Sequence, residues 1–203
     1  MISLSQLSQT LDQLVVSAQA NFPIIGAIIG IAFFIQCVNF VVQYRLCVFG
    51  IMPRHPLGLI GIILSPWIHG SFNHFFSNAM IFLALANLVA LEGQMHFVVI
   101  TLMIAMLGGG ATWLLGRKAL HVGASGIIMG YWGYLLVNAY QHPSLITIAL
   151  GLTCFYFFGG LLSHMIPDSA KESWEGHVFG VLSGIISALA YPIAEPWLLK
   201  HIF

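Results

Sequence analysis

The sequence predicts an all-α, polytopic membrane protein built as a bundle of six transmembrane helices. Two observations lead to this prediction. Of the 203 residues, 59% are hydrophobic and only 6% are charged, whereas a soluble domain has about 25% charged residues. The apolar residues also fall into runs close to the roughly 20 residues that span a bilayer, separated by short polar stretches. We therefore expect the lipid bilayer to surround most of the protein.

Six apolar segments are the predicted spans, and the breaks between them contain proline, glycine and charged residues. A further apolar stretch, Leu57–Leu64, is too short to span and is followed by Pro66. We interpret it as a re-entrant or interfacial piece of a long first loop. The fourth segment is also short, so one of its ends should lie below the membrane surface. The predicted spans are Phe22–Val42, Phe72–Leu91, Phe97–Leu115, Ser125–Ala139, Leu145–Leu162 and His177–Ile193.

Residues 1–21 form a short polar segment ahead of the first span. The segment has no lysine or arginine, so it lacks the charged start of a secretory signal peptide. It is too short for a separate soluble domain, and we expect residues 22–203 to form the functional membrane domain. The formal net charge is zero, which excludes a basic face for nucleic acid.

The three cysteines predict neither a disulfide framework nor a metal site. Cys37, Cys47 and Cys154 are odd in number, lie in or beside apolar runs and show no Cys-x-x-Cys spacing. We expect them to be small packing residues.

Alternation of the spans brings polar residues from three separate segments to one side of the membrane. The second, fourth and sixth spans all begin on the face that carries loops one, three and five. The polar groups at these three starts are His69, His74 and Asn78, then Ser125, and then His177. They can therefore meet at one depth.

The stretch Gly123-Ala124-Ser125-Gly126 opens the fourth span. A serine between glycines at a helix start can be exposed and oriented as a nucleophile. The backbone can approach a substrate there, and the first-turn N–H groups are available to stabilise negative charge. Glycine and serine are also ordinary helix-packing residues in an apolar chain, so this spacing alone fits either role.

His177 stands at the head of the sixth span beside a row of glycines. Glycines four residues apart share one helix face, and such faces let two membrane helices approach closely. If the glycine faces of the two spans meet, the His177 imidazole can reach Ser125 at about 2.6–3.2 Å and serve as a general base. Otherwise, His177 is a structural donor between helices. The faces consist of Gly176, Gly180 and Gly184 in the sixth span and Gly126 and Gly130 in the fourth.

His74 and Asn78 lie four residues apart on the second span and project from the same face. Both side chains can donate hydrogen bonds while neutral. Acyl transfer needs such donors aimed at a developing oxyanion. The alternative is an interfacial histidine and a packing asparagine.

Together, these motifs resemble the rhomboid intramembrane serine proteases, and the resemblance covers the chain after Phe22. Their order and spacing on spans two, four and six carry the match, which implies a rhomboid-like bundle. The motifs are His69-x4-His74-x3-Asn78, Gly123-x-Ser125-Gly126 and Gly176-His177-x2-Gly180-x3-Gly184.

The resemblance implies a serine endopeptidase that cuts other membrane proteins in or near their transmembrane segments, without a cofactor. It implies that Ser125 is the nucleophile and His177 the general base and acid. It also implies an oxyanion site made by His74, Asn78 and the Ser125 backbone N–H. The span cores contain no aspartate or glutamate, so the composition permits a dyad without a third carboxylate. The glycines expected around this dyad are Gly123, Gly126, Gly130, Gly180 and Gly184.

Two features depart from the family pattern. The first loop lacks the Trp-Arg pair of many rhomboids, and Met129 stands where many have a tyrosine that stacks on the catalytic histidine. Methionine can pack on an aromatic ring, so we expect activity to survive.

Two other functions fit parts of the sequence. One is an inactive rhomboid relative that binds transmembrane helices without cutting them. The other is a histidine-based metal or proton carrier, suggested by the nine histidines. Most of these histidines lie in predicted loops or at chain ends, and the span cores lack the carboxylates that a proton relay usually uses.

The basic residues and the family resemblance predict opposite orientations. Lysines and arginines are enriched on cytoplasmic loops, which would place the odd-numbered loops in the cytoplasm. The resemblance implies a bacterial inner-membrane protein whose active site faces outward, and we adopt that expectation. Lys200 lies on the other face, whereas the odd-loop face carries Arg45, Arg54, Arg117, Lys118 and Lys171.

Overall fold

A computed structural model describes residues 4–159 and 173–201 of the chain. These residues form seven α-helices and two short 3-10 turns, and they contain no β-strand. The 3-10 turns are Arg45–Phe49 and Ser65–Trp67. The helices are α1 (Leu4–Val41), α2 (Pro56–Leu64), α3 (Phe72–Ala90), α4 (Gln94–Leu115), α5 (Ser125–Gln141), α6 (Leu145–Phe158) and α7 (Trp174–His201).

Four segments within the described residues are long and apolar enough to cross a membrane. The protein is therefore an integral membrane protein, and its described part is helical. Helices α5 and α6 contain 17 and 14 residues and fall short of that length, so two of the six predicted spans are not established. The predicted fifth span runs on to Leu162, beyond the described residues. The four segments are Asp12–Val41, Phe72–Ala90, Gln94–Leu115 and Trp174–Ile193.

Helix α1 begins much earlier than the predicted first span. It runs without interruption from Leu4 to Val41, so the expected boundary between residues 21 and 22 falls inside it. Asn21 is buried, and its Nδ2 donates a hydrogen bond to the Ala90 carbonyl at 3.0 Å. This contact ties the polar first half of α1 to the end of α3.

The apolar piece of the first loop forms the short helix α2. Pro56 occupies its first turn, and the His55 ring accepts a hydrogen bond from the Leu57 N–H at 3.3 Å. Proline suits that position because its missing N–H would have no partner there. Nine residues extend about 14 Å, which is too short to cross a bilayer.

The polar loop predicted before the sixth span lies mostly outside the described residues. This applies to Pro167, Asp168, Lys171 and Glu172. The structure describes the chain again from Ser173, and α7 begins at Trp174, three residues before His177.

Helix α5 is the centre of the bundle. All seven residues from Ile128 to Tyr134 are buried. Seven residues make about two helical turns and point in every direction around the axis, so neighbours surround this helix. Helices α3, α4 and α7 contribute Leu85, Ile104 and Val181 to the same core. Large apolar side chains such as Phe34, Met80 and Tyr156 are exposed on the outside of the bundle, as expected where lipid replaces water.

Candidate active site

Ser125 and His177 meet at the starts of α5 and α7. The Ser125 Oγ lies 3.0 Å from the His177 Nε2. Ser125 is the first residue of α5, where the N–H groups of the first turn have no partner within the helix. His177 is 9% exposed. A hydroxyl and an imidazole at this distance can exchange a proton.

Backbone contact between α5 and α7 brings these two side chains together. A β-carbon at Gly180 would overlap the carbonyl oxygen of Gly126, and one at Gly184 would overlap that of Gly130. Only glycine therefore permits this approach. The Gly130 α-carbon itself faces Ile104 of α4, so its carbonyl, rather than its α-carbon, contacts α7.

Gly123 places the chain before Ser125 directly against His74 and Asn78. Its φ of +108° lies in a region that favours glycine. A β-carbon there would stand 2.7 Å from the His74 Nε2 and 3.2 Å from the Asn78 Nδ2. Both side chains therefore pack on the main chain two residues before Ser125.

The Asn78 side-chain amide is buried, and its donor nitrogen faces no acceptor in the described part of the chain. The residue is 7% exposed, and its Nδ2 has no hydrogen-bond partner among the residues that the structure describes. Buried polar atoms are nearly always paired, and an unpaired one destabilises a fold by about 1–3 kcal/mol. An acceptor that arrives with a substrate would satisfy this donor.

His74 and His69 are held beside this amide. The His74 N–H donates to the Ser71 Oγ at 3.1 Å, which caps α3. The His69 ring lies edge-on to the His74 ring at 5.1 Å, and the His69 carbonyl accepts a hydrogen bond from Asn39 at 3.1 Å. Burial, reinforced by the neighbouring His74, lowers the pKa of His69 to about 3, so its ring is neutral at physiological pH.

Met129 occupies the interface between α5 and α7. It is 2% exposed, and a β-carbon at Gly180 would stand 3.1 Å from its Cβ. Gly180 lies about one helical turn after His177 in α7. Because Met129 packs against Gly180, it lies about one turn from the residue that carries the imidazole.

Two polar pairs near the dyad were not identified from the sequence. His121, expected in a loop, is 4% exposed, and its Nδ1 contacts the Ser173 Oγ. Glu175 is also 4% exposed, and its Oε1 lies 3.2 Å from the Arg117 Nε. No spacing signal pointed to His121, because it lies in a non-helical loop four residues before α5.

A small cavity adjoins the dyad. Its volume is about 50 Å³, and its lining includes Ser125, Thr112, His121 and Ser173. Such a space is large enough for water and offers the polar partners that a bound water needs. Across the described parts of the chain, no three His, Cys, Asp or Glu side chains are grouped to hold a metal ion.

Comparison with known proteins places these residues in a recognised domain. The family model of the Rhomboid domain matches residues 56–192. Uncharacterized proteins of Mycobacterium bovis and Mycobacterium tuberculosis are 32% identical to this chain over 177 residues, which cover 83% of this chain and 73% of theirs. An uncharacterized protein of Mycobacterium leprae is 33% identical over 147 residues, covering 68% of this chain and 57% of its own length.

Proposed function

Because this chain belongs to the rhomboid family, we propose that it is an intramembrane serine protease that hydrolyses peptide bonds in or near transmembrane segments of other proteins. The observation that carries the proposal is the 3.0 Å contact between the Ser125 Oγ and the His177 Nε2. A hydroxyl nucleophile and an imidazole base suffice for this acyl transfer without a cofactor.

The dyad would act in two stages. As the Ser125 Oγ attacks the substrate carbonyl carbon, the His177 Nε2 takes the hydroxyl proton. The resulting imidazolium gives that proton to the leaving amine nitrogen as the peptide bond breaks, which leaves an acyl-enzyme. A water molecule then attacks the ester carbonyl, again with His177 as base, and the proton returns to the Ser125 Oγ as the new carboxyl product leaves.

The oxyanion of each tetrahedral intermediate would be stabilised by three donors. These are the Asn78 amide, the His74 ring and the backbone N–H of Ser125. The unpaired Asn78 Nδ2 supports this role, because a donor already in place needs no reorganisation when charge develops. Gly123 supports it as well, since it brings the chain of the nucleophile against both side chains.

Water and an unwound substrate are both needed for the reaction. The cavity of about 50 Å³ beside Ser125 would hold the water that releases the product. The peptide bonds of a helical substrate are already paired, so the substrate must unwind locally to reach Ser125. We expect cleavage to favour segments with glycine, proline or other residues of low helix propensity near the cut.

The membrane arrangement proposed here has six spans, with α5 and α6 added to the four long segments. The short α5 would begin below the membrane surface, which would place Ser125 within the bilayer's depth. The substrates would be transmembrane proteins that enter from the lipid. The three relatives are bacterial, which supports residence in a bacterial inner membrane, and we propose that the active site faces outward.

Labelling with a fluorophosphonate probe tests the proposed function. We expect the detergent-purified protein to be labelled, because the probe reacts with a serine that a base activates. Ser125→Ala and His177→Ala should abolish labelling and also cleavage of a model transmembrane substrate, while leaving the thermal unfolding curve in place. Ser77→Ala, an exposed serine of α3, is the matched control. A folded wild-type protein without labelling would favour an inactive relative that only binds helices.

A further inference from the structure

We propose that His121 is a positioning residue that holds Ser125 and His177 in register by joining the three chain segments around them. This inference rests on the proposed function, because it concerns the alignment of that dyad. The three segments are the first loop at Ile51, the loop before α5 and the turn before α7. His121 lies in the loop before α5 and contacts each of the other two segments separately.

The backbone of His121 pairs with the first loop. Its carbonyl accepts a hydrogen bond from the Ile51 N–H, and its N–H donates to the Ile51 carbonyl, both at 2.9 Å. The two residues form an isolated antiparallel bridge. His121 precedes Ser125 by four residues, so this bridge anchors the segment that leads into the nucleophile.

The side chain of His121 reaches the segment that leads into His177. Its Nδ1 contacts the Ser173 Oγ, and the Ser173 carbonyl accepts a hydrogen bond from the His177 N–H at 3.2 Å. Ser173 therefore links the His121 ring directly to the backbone of His177, the proposed base. The Ser125–His177 contact is the next link between the same two segments.

The ring of His121 is directed by two hydrogen bonds. Its Nε2 lies 3.4 Å from the Arg117 carbonyl, which can only accept, so this nitrogen carries the proton. The Nδ1 is then the acceptor for the Ser173 hydroxyl. Gly176 leaves room for this arrangement, because a β-carbon there would stand 2.8 Å from the Ser173 Oγ.

A second contact, between Arg117 and Glu175, joins the same two segments as the contact between His121 and Ser173. The Arg117 Nε lies 3.2 Å from the Glu175 Oε1, and the Arg117 backbone N–H donates to the same oxygen at 3.4 Å.

Burial lowers the pKa of His121. Of the two charged groups that face its ring, Glu175 raises this pKa and Arg117 lowers it, so their effects oppose each other. The His121 ring is therefore neutral at neutral pH, in the state that accepts the Ser173 hydroxyl.

The test measures the labelling kinetics of a fluorophosphonate probe, separated into a maximal rate and a half-saturating concentration. His121→Leu removes the ring nitrogens, whereas the backbone bridge to Ile51 does not depend on the side chain. Ser173→Ala removes only the partner hydroxyl. His121→Asn keeps a polar atom near the position of Nδ1. The control is His142→Leu, the same replacement at an exposed histidine at the far end of α5.

We expect His121→Leu and Ser173→Ala each to lower the maximal rate by roughly 10- to 100-fold, the scale of an ångström-level misplacement. The half-saturating concentration should stay unchanged, the double variant should be no slower than His121→Leu, and His121→Asn should recover most of the rate. His142→Leu should match the wild type.

Unchanged maximal rates in folded Ser173→Ala protein would overturn the positioning role while leaving the proposed function intact. The same holds if the half-saturating concentration alone changes. Absence of labelling in the wild type would overturn the proposed function, and the positioning role with it. If His121→Leu does not fold, Ser173→Ala decides, because it removes one oxygen atom and leaves the packing unchanged.

Discussion

Replacing Gly180 by alanine tests whether the backbone contact between α5 and α7 sets the geometry of the dyad. A β-carbon at Gly133, on the same interface, would lie 2.6 Å from the Val181 carbonyl oxygen. This distance is 0.4 Å shorter than 3.0 Å, the closest approach that β-carbons make to other atoms in proteins. At Gly180 the approach to the Gly126 carbonyl oxygen is closer still. Helix α7 must therefore move away from α5 by more than 0.4 Å to admit the methyl group.

This displacement would carry His177, because it lies three residues before Gly180 on the same helix. If the shift lies along the contact between the His177 Nε2 and the Ser125 Oγ, their distance would grow from 3.0 Å to more than 3.4 Å. A hydrogen bond is weak at that length. We expect the labelling rate and the turnover of a model transmembrane substrate to fall about 100-fold. The added volume should also destabilise the fold by about 1–3 kcal/mol.

The assay compares fluorophosphonate labelling rates of folded protein across four variants. Gly30→Ala and Gly110→Ala introduce the same methyl group where nothing lies within 4 Å, and they should behave like the wild type. Gly133→Ala should fall between these controls and Gly180→Ala. A wild-type labelling rate in folded Gly180→Ala protein would refute the argument, because the dyad would then tolerate separation of its helices.

The remaining predictions concern the oxyanion donors and pH. Asn78→Ala should lower turnover by about 100-fold or less, the lower end for loss of one oxyanion donor; an unchanged rate in the double variant with His74→Ala would count against this role. The pKa values of His69 and His121 are lower in the folded protein than in the unfolded chain. As the pH falls below about 6.5, the unfolded chain therefore binds more protons than the folded protein, and the free energy of unfolding should decrease. Above that pH, these two histidines should cause no loss of stability. Each such histidine contributes a slope of up to about 1.4 kcal/mol per pH unit. Thermal unfolding at pH 7.5 and pH 5 should show a smaller loss for His121→Asn than for the wild type, and equal losses would contradict the assignment to His121.

Helix positions followed closely from the pattern of apolar runs. Helix α3 begins at Phe72 and α4 ends at Leu115, as predicted, because lipid requires backbone groups to pair within the segment. The start of α1 was missed, because polar residues interrupt the apolar ones before Phe22. A contact with α3 holds this part of the helix. The length of a span was harder to predict than its position, and four segments of the described chain have the length of a full crossing.

The residues of the candidate site followed from the order and spacing of three motifs. The family resemblance drawn from them is confirmed by the match over residues 56–192. The roles of Ser125, His177, His74 and Asn78 remain predictions. Spacing could place these side chains on particular helix faces. It could not show that the Asn78 Nδ2 has no hydrogen-bond partner among the described residues, or that Gly123 has a positive φ.

The sequence by itself determined that this is a helical membrane protein, where most helices lie and which polar residues share one end of the bundle. These properties depend on local composition and on periodicity along single helices. Only the tertiary structure decided the contacts of His121 with Ile51 and Ser173 and of Arg117 with Glu175. Ile51, Arg117, His121 and Ser173 lie outside the helices, where the sequence has no periodicity, and Glu175 lies in the first turn of α7. The contacts between the segments that lead into α5 and α7 depend on how closely these two helices pack. That distance is set by the glycines between the two helices, since any side chain there would hold the helices apart.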